Sequence, residues 1–232
     1  MSGTVKRLLG CIAGILVLCL LLPPLTARAA AEVVYRRTGT DGVKRIALTF
    51  DDGPHPRHTP EILDILAEYG VKATFFVVGS NAEYYDGLVS RAQSEGHEIG
   101  NHTYHHYHTA NTDAASLVRD MAACDEVLLR QTGKKPTLFR PPEGVFNEEM
   151  KEFCDENDYT IVMWSIDTRD WAHTPICEIV KNVREHARDG AIILMHDFIG
   201  KKSPTPAALR QIIPMLQELG FEFVTVSRLL QG

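Results

Sequence analysis

The sequence lacks several features that would assign it to a distinct class of protein. It has no basic block of the kind that binds nucleic acid and no acidic run typical of a disordered tail. Its 24 Lys and Arg and its 30 Asp and Glu are interspersed, and the net charge is −6. No low-complexity segment or linker divides it. We therefore expect no nucleic-acid partner, and 44% apolar residues can form the core of one globular domain.

Cysteine is also scarce. Of the five cysteines, only Cys124, Cys154 and Cys177 lie beyond the first 31 residues. An odd number does not make a disulfide framework, and no two of the three have the spacing of a zinc finger. We expect three small side chains, buried or half-buried, with one disulfide at most.

The first 31 residues differ from the rest of the chain. A Lys-Arg pair at 6–7 precedes an almost wholly apolar stretch at 8–22, and an Ala-x-Ala site follows at 27–29. This layout is typical of a secretory signal peptide. An apolar stretch of about 15 residues is short for a membrane span, so cleavage is favoured over an uncleaved N-terminal anchor that would tether the protein to the membrane. The sequence predicts a secreted or cell-envelope protein, outside the cytoplasmic membrane.

Strand and helix patterns alternate beyond a polar lead-in at residues 32–44. The predicted strands are 45–50, 73–78, 98–100, 137–139, 159–164, 191–195 and 222–226. The predicted helices are 59–70, 82–95 with a break near Gly87, 113–131, 147–156, 175–188, and 206–219 with a kink or break at Pro214. This alternation indicates a parallel sheet covered by helices. A doubly wound open sheet and a reduced barrel both fit, and about seven short strands favour the barrel.

Polar residues follow the predicted strands. The clusters are Asp51-Asp52, Asn101-His102, Arg140, Asp167 with Asp170-Trp171, and His196-Asp197. In parallel α/β folds the functional site lies at the carboxyl ends of the strands. We therefore expect all of these clusters to open on one face of the sheet or barrel.

The adjacent carboxylates of Asp51 and Asp52 need a positive charge nearby, because buried carboxylates are costly without one. His102 and His106 are four residues apart. If this stretch is one helical turn, both imidazoles share a face and can bind one metal together with one of the aspartates. An Asp-His-His set leaves a position for water, as in catalytic sites. The other aspartate would take a proton from that water. The residues alone do not decide between the two aspartates.

Other strand-end residues suggest the remaining steps of an amide hydrolysis. His196 could protonate an amine leaving group, and Asp170 could tune that histidine by a hydrogen bond. Arg140 could pair with the base aspartate. Trp171 could form a wall on which a sugar stacks.

Five motifs occur in a fixed order along the chain. They are Thr49-Phe-Asp-Asp-Gly-Pro54, His102-Thr-Tyr-His-His106, Arg140-Pro-Pro, Asp167-Thr-Arg-Asp-Trp171 and Leu194-Met-His196. In this order they resemble the polysaccharide deacetylases of the NodB-homology type, carbohydrate esterase family 4. The resemblance covers a catalytic domain at about residues 45–230. It implies a distorted (β/α) barrel with about seven parallel strands and a divalent metal, usually Zn²⁺, with Co²⁺ or another divalent ion as alternatives.

The resemblance also implies roles for individual residues. Asp51 would be the catalytic base, oriented by Arg140. His196 would be the catalytic acid, tuned by Asp170. The implied metal ligands are Asp52, His102 and His106. The implied substrate-binding residues are Trp171, Leu194, Pro141, Pro142 and Glu143.

Glu143 departs from the pattern of this family. Many relatives have an aromatic residue after Arg-Pro-Pro, whose backbone N–H helps to stabilise the oxyanion. A backbone donor survives any side chain, so we do not expect Glu143 to abolish activity. Its negative charge should favour an uncharged or cationic sugar over an acidic one.

Together these features predict a secreted, metal-dependent hydrolase that removes N-acetyl groups from the amino sugars of a glycan. Peptidoglycan is the first choice of substrate, and we expect a monomer. The alternatives are a chitooligosaccharide deacetylase, an acetyl-xylan O-esterase and a non-catalytic carbohydrate-binding relative. The last would be expected to lack the base, a ligand or the acid, and this chain has all of them.

Overall fold

The structure, a computed structural model, describes residues 31–232. The predicted signal peptide or anchor lies outside the described residues, apart from Ala31. Within the described part, nine strands pair into one sheet. No helix in this part is long and apolar enough to cross a membrane.

The strands and helices alternate along the chain as predicted. The strands are β1 Val33–Val34, β2 Arg45–Asp51, β3 Thr74–Val77, β4 Glu98–Asn101, β5 Leu138–Phe139, β6 Thr160–Val162, β7 Ile166–Asp167, β8 Ala191–His196 and β9 Glu222–Phe223. The helices are α1 His58–Glu68, α2 Gly79–Tyr84, α3 Leu88–Ser94, α4 Ala114–Thr132, α5 Glu148–Glu156, α6 Ile176–His186, α7 Thr205–Glu218 and α8 Val226–Leu230. Single 3₁₀ turns lie at Thr109–Asn111, Pro142–Gly144 and Asp170–Ala172.

The sheet is parallel and curls on itself. Its order is β1-β6-β5-β4-β3-β2-β8-β7, and β9 pairs with the first residues of β2. β6 and β7 follow one another along the chain, yet β6 pairs with β5 and β7 pairs with β8. Ser165 between them donates its backbone N–H to the Ile192 carbonyl. One extended stretch thus reaches both sides of the sheet, which confirms the predicted distorted (β/α) barrel.

Strand β2 pairs with β3, β8 and β9 and is buried along its whole length. Its side chains alternate between two apolar clusters, as the two-residue period of a strand requires. Ile46, Leu48 and Phe50 pack under helices in the larger cluster. Ala47 belongs to a smaller cluster with Phe76, and α8 contributes Leu229 to it. The core on both faces of β2 holds its carboxyl end in place.

The parallel register brings the predicted strand-end residues together. Asp51 at the end of β2 pairs with His196 at the end of β8. Asn101 at the end of β4 pairs with Phe139 of β5, so His102 and Arg140 follow at the same level. The strand-end clusters therefore meet at one face of the barrel.

Local sequence signals fixed several helix ends correctly. The side chain of Asp113 caps α4, and that of Asn147 caps α5, each by accepting a backbone N–H. Gly87 adopts a left-handed conformation between α2 and α3, where a break was predicted. Pro214 lies inside a continuous α7. The predicted strand 222–226 was wrong at its end, because Thr225 caps α8 instead.

Cys124, Cys154 and Cys177, the cysteines in the described part of the chain, are free thiols. Cys124 and Cys154 are buried, whereas Cys177 is exposed. Burial raises the pKa of Cys154 to about 12, which leaves that thiol protonated and unreactive.

The turn after β2 is held by its neighbours. The Gly53 carbonyl accepts the backbone N–H of Val78, and the Asp52 carbonyl accepts the side-chain amide of Asn81. Gly53 also packs directly on buried Asp197, because a Cβ placed on Gly53 would lie 2.1 Å from Asp197 Oδ2. No side chain fits there, so this close approach defines the position of the two aspartates that precede it.

We predict that Gly53→Ala lowers the free energy of unfolding by about 1–3 kcal/mol, the usual cost of overpacking. Urea unfolding of the purified protein measures the loss. A double-mutant cycle with Asp197→Ala isolates the overlap, because truncating Asp197 removes the atoms that the new methyl would meet. In that background the cost of Gly53→Ala should fall. Equal costs in both backgrounds would contradict the proposed close contact.

Candidate active site

The strand-end residues surround one cavity of about 390 Å³. This volume is in the range of small-molecule sites. Its lining residues are Asp51, Asp52, His102, His106, Glu143, Trp164, Asp167, Trp171, Leu194 and His196. Another cavity, of about 380 Å³, lies near His97 and Lys134. The only described group of three side chains positioned to hold a metal ion lies in the first cavity.

That group is Asp52, His102 and His106. Asp52 Oδ1 lies 3.4 Å from His102 Nε2 and 3.2 Å from His106 Nε2. Four-coordinate zinc, with ligand bonds of about 2.0–2.2 Å, separates neighbouring ligand atoms by ~3.3 Å. The spacing of the three ligand atoms therefore suits a divalent metal.

The hydrogen bonds around His102 support the same reading. Its Nδ1 lies 2.6 Å from the Arg140 carbonyl oxygen, which can only accept, so Nδ1 carries a proton. In the neutral ring, Nε2 then presents a lone pair towards Asp52 Oδ1. That oxygen is buried and has no hydrogen-bond partner among residues 31–232. Two acceptors that face each other need a positive charge between them, and a metal ion would supply it.

The pKa values of Asp52 and His106 also indicate that a positive charge stabilises this group. Burial raises the pKa of Asp52, but the facing imidazoles of His102 and His106 outweigh it and bring the pKa well below its usual range. Burial lowers the pKa of His106, but the Asp52 carboxylate opposes this and the net shift is upward. The group therefore favours a charged carboxylate beside a cation.

The backbone that carries these ligands is not helical, contrary to the turn considered from the sequence. Asp52, Thr103 and His106 all have positive φ angles, at 74°, 65° and 58°. Residues without glycine's freedom rarely adopt this region, and such residues cluster at functional sites. The two imidazoles meet because the loop after β4 bends twice.

Asp51 lies beside this group but has a different partner. Its Oδ1 accepts a hydrogen bond of 2.7 Å from Arg140 Nη1. Arg140 is fully buried, and its other N–H groups donate to Thr49 Oγ1 and to the carbonyls of Val162 and Met163. Burial lowers the pKa of Arg140, while Asp51 opposes that shift. The two adjacent aspartates therefore occupy different electrostatic environments.

His196 is anchored by Asp170. The imidazole Nδ1 lies 2.8 Å from Asp170 Oδ1, and the His196 backbone N–H donates to Asp170 Oδ2. Thr205 Oγ1 donates a third bond to the same carboxylate. Burial lowers the pKa of His196, but Asp170 and the two site aspartates raise it to about 9 overall. Nε2 remains as the nitrogen available to the cavity, and it holds a proton at neutral pH.

Three of the five predicted substrate-binding residues line the cavity, and their contact with substrate stays a prediction. Leu194 and half-exposed Trp171 line it, as does Glu143. Pro141 and Pro142 are buried and do not line it, so contact of either proline with substrate stays a prediction.

Sequence reasoning placed Asp167 and Asp197 among the strand-end clusters without giving either a role, and it missed Trp164. Trp164 and Asp167 line the cavity. Asp167 ends β7 and its strand-end position was a usable signal, whereas the pattern places Trp164 within a strand. Asp197 is 1% exposed and hydrogen-bonded to Thr59. Burial raises the pKa of Asp197 to about 7.

Known proteins are similar to this chain in sequence. A sequence profile of the family described as polysaccharide deacetylase matches residues 38–162. The chain is 42% identical over 190 residues to a peptidoglycan-N-acetylglucosamine deacetylase of Bacillus cereus, covering 81% of this chain and 89% of that protein. It is 35% identical over 202 residues to a chitooligosaccharide deacetylase of Rhizobium leguminosarum bv. trifolii, covering 82% and 94%.

A solved structure has the same fold. It is a crystal structure of a peptidoglycan N-acetylglucosamine deacetylase in complex with a naphthalenyl-N-oxidanyl-benzamide. The TM-score is 0.80 at 38% identity, with 87% of this chain and 94% of that chain covered. Since the profile spans more than half of the sequence and the relatives cover most of it, the chain belongs to the polysaccharide deacetylase family, whose activity is hydrolytic.

Proposed function

We propose that this protein removes N-acetyl groups from the amino sugars of peptidoglycan, outside the cytoplasmic membrane and with a bound divalent metal. The named activity of the Bacillus cereus relative favours this substrate. The signal-peptide pattern of residues 1–31, which lies outside the described part apart from Ala31, favours export. We propose a monomer, tethered to the membrane only if the N-terminal segment is retained.

The observation that carries the proposal is the separation of two neighbouring carboxylates by their partners. Asp52 faces two histidines, and Asp51 faces a buried arginine. His196 is held by a third carboxylate and lines the same cavity. A site with a metal-ligand set, a separate base and a protonated acid has the groups that amide hydrolysis requires.

Asp52, His102 and His106 would hold the metal, with Zn²⁺ as the first choice and Co²⁺ or another divalent ion as alternatives. A metal held there would polarise the acetyl carbonyl and lower the pKa of a water molecule. Neutral histidines and a carboxylate are donors that zinc accepts.

Asp51 would take the proton of the attacking water. Its bond to Arg140 fixes the direction of the carboxylate, which a general base needs in order to reach the proton. Arg140 cannot turn away, because its other N–H groups are bound to the barrel wall. Arg140 therefore positions the base.

His196 would deliver a proton to the nitrogen of the leaving amine. Asp170 keeps the imidazole protonated and turns Nε2 towards the cavity. Trp171 and Leu194 would hold the sugar and its acetyl group. The backbone N–H of Glu143, the first after two prolines, is available to the oxyanion.

Three alternative functions would need some of the same groups as the proposed N-deacetylation. An acetyl-xylan O-esterase needs the acid less, because an alkoxide leaves more easily than an amine, so the built His196–Asp170 pair favours N-deacetylation. A chitooligosaccharide is chemically close to the glycan of peptidoglycan, and the Rhizobium relative carries that name. A non-catalytic binding protein would not need a buried arginine on the base.

The direct test is acetate release from a panel of intact peptidoglycan, its separated sugars, chitin oligomers and acetyl-xylan. We expect the purified protein to release acetate from the amino-sugar substrates. A chelator should stop the reaction, and Zn²⁺ or Co²⁺ should restore it. Release from acetyl-xylan alone would overturn the proposed substrate class, and full activity in chelator would overturn the metal.

Asp51→Asn should lower kcat by about 10²–10⁴-fold, the usual contribution of a general base, while the protein still binds metal. Asparagine keeps an oxygen for the Arg140 bond, so the fold should survive, and circular dichroism checks this. His102→Ala is the contrasting variant, because it should lose the metal itself, measured by elemental analysis. Near-normal turnover in Asp51→Asn would contradict the role of Asp51.

The activity should fall as pH rises through about 9, because His196 then loses the proton that it donates. Asp170→Asn removes the carboxylate that raises this pKa, so the alkaline limb of kcat/KM should move about 1–3 pH units towards acid. Thr205→Val is the matched control, because it removes one hydrogen bond to Asp170 but keeps the carboxylate. In this variant the alkaline limb should move much less than in Asp170→Asn. An unmoved limb in Asp170→Asn would exclude His196 as the acid tuned by Asp170.

A further inference from the structure

Glu143 lines the cavity, and its side chain is half-exposed. Its backbone is held in place. Glu143 and Gly144 both have positive φ angles, at 57° and 71°. A Cβ on Gly144 would lie 2.7 Å from the Trp164 ring, so this turn packs closely against the wall. The carboxylate therefore sits on a fixed turn at the cavity.

The partner of Glu143 is an exposed histidine. Glu143 Oε1 lies 2.9 Å from His108 Nδ1, and the two side chains are 49% and 63% exposed. The loops that carry them are joined separately, because Thr109 Oγ1 donates to the Val145 carbonyl. Both side chains are open to solvent, and the Thr109–Val145 hydrogen bond holds the two loops together without the Glu143–His108 pair. Glu143 can therefore leave His108 and pair with a cation on a ligand.

The other carboxylates of the cavity are less available to a ligand. Asp51 is neutralised by Arg140, and Asp52 faces the two imidazoles. Asp167 accepts the backbone N–H of Arg169. The Arg169 guanidinium lies 5.8 Å from the Trp171 ring, so a cation borders the cavity there. Glu143, with a side chain that is 49% exposed, is thus the most exposed carboxylate that lines the cavity.

We propose that Glu143 determines specificity by favouring a glycan with a free amino sugar next to the N-acetyl sugar that reacts. This proposal rests on the proposed function. Hydrolysis of the acetamide by one water yields acetate and an amine, which is an ammonium at neutral pH. The product therefore carries the charge that Glu143 binds, and a partly deacetylated strand is a better substrate than an untouched one.

The test compares two chitotetraose substrates that differ in a single acetyl group. They are fully acetylated chitotetraose and a chitotetraose with one glucosamine, and the readout is the ratio of their kcat/KM values, so a general loss of activity cancels. For an exposed ion pair we expect Glu143→Gln to lower the preference for the glucosamine substrate by about two- to five-fold, through KM. The preference of the wild type should also shrink in high salt, because salt screens exposed charges.

His108→Ala is the matched variant with the opposite expectation. It leaves the Glu143 carboxylate without its partner, so the preference for the glucosamine substrate should rise. The double variant should behave like Glu143→Gln, since the effect passes through the carboxylate. Equal ratios in the wild type, Glu143→Gln and His108→Ala would overturn the proposal.

A binding measurement separates this proposal from the proposed function. Chitosan tetramer has no acetyl group to lose, so calorimetry of its binding needs no turnover. Glu143→Gln should weaken this binding by a similar two- to five-fold, with a smaller salt dependence. If the wild type released no acetate from any glycan, the proposed function would fail, and this binding difference would still decide the role of Glu143. Equal binding by both proteins would refute it.

Discussion

The buried ion pair between Arg140 and Asp51 is the interaction on which the site depends. A fully buried guanidinium is costly unless its N–H groups are satisfied, and here they bind Asp51, Thr49 and two strand carbonyls. Removing one partner of such a pair typically costs about 3–5 kcal/mol. Arg140 also lies 4.1 Å from the Phe76 ring centre, so the barrel interior packs on it. The pair therefore joins β2 to the end of β5 and fixes the carboxylate of Asp51, the proposed base, in the same contact.

This pair explains how two adjacent aspartates can do different work. Asp51 points to the interior arginine, whereas the left-handed backbone of Asp52 turns the next carboxylate to the histidines. Gly53 allows the turn to lie directly on Asp197.

His196, at the end of β8, completes the site. Asp170 holds its imidazole, and Thr205 donates a hydrogen bond to Asp170. Each reactive group has a supporting partner from a different strand end, and such partners hold a site in one geometry.

Under the proposed function, substrate choice would be decided further from the metal-ligand group, at residues that the proposed catalytic groups do not constrain. Trp171 is half-exposed, Glu143 is paired only through a solvent-accessible bond, and Arg169 borders Trp171. Charges at such positions change specificity more than they change the chemistry. A carboxylate in place of an aromatic residue after Arg-Pro-Pro would leave the backbone donor intact and change which neighbouring sugar is preferred.

The sequence by itself determined the parallel α/β class, most helix ends and the set of strand-end residues, because two-residue and helical periodicities, caps and polar strand ends are local signals. The division between Asp51 and Asp52 came only from a family resemblance. The tertiary structure decided what local patterns do not encode. The backbone of His102–His106 is bent rather than helical, the stretch 160–167 divides into two strands, and 226–230 is a helix. Trp164 and the Glu143–His108 pair joined the site through contacts between residues distant in sequence. Such contacts depend on register and packing, which form only when the whole barrel closes.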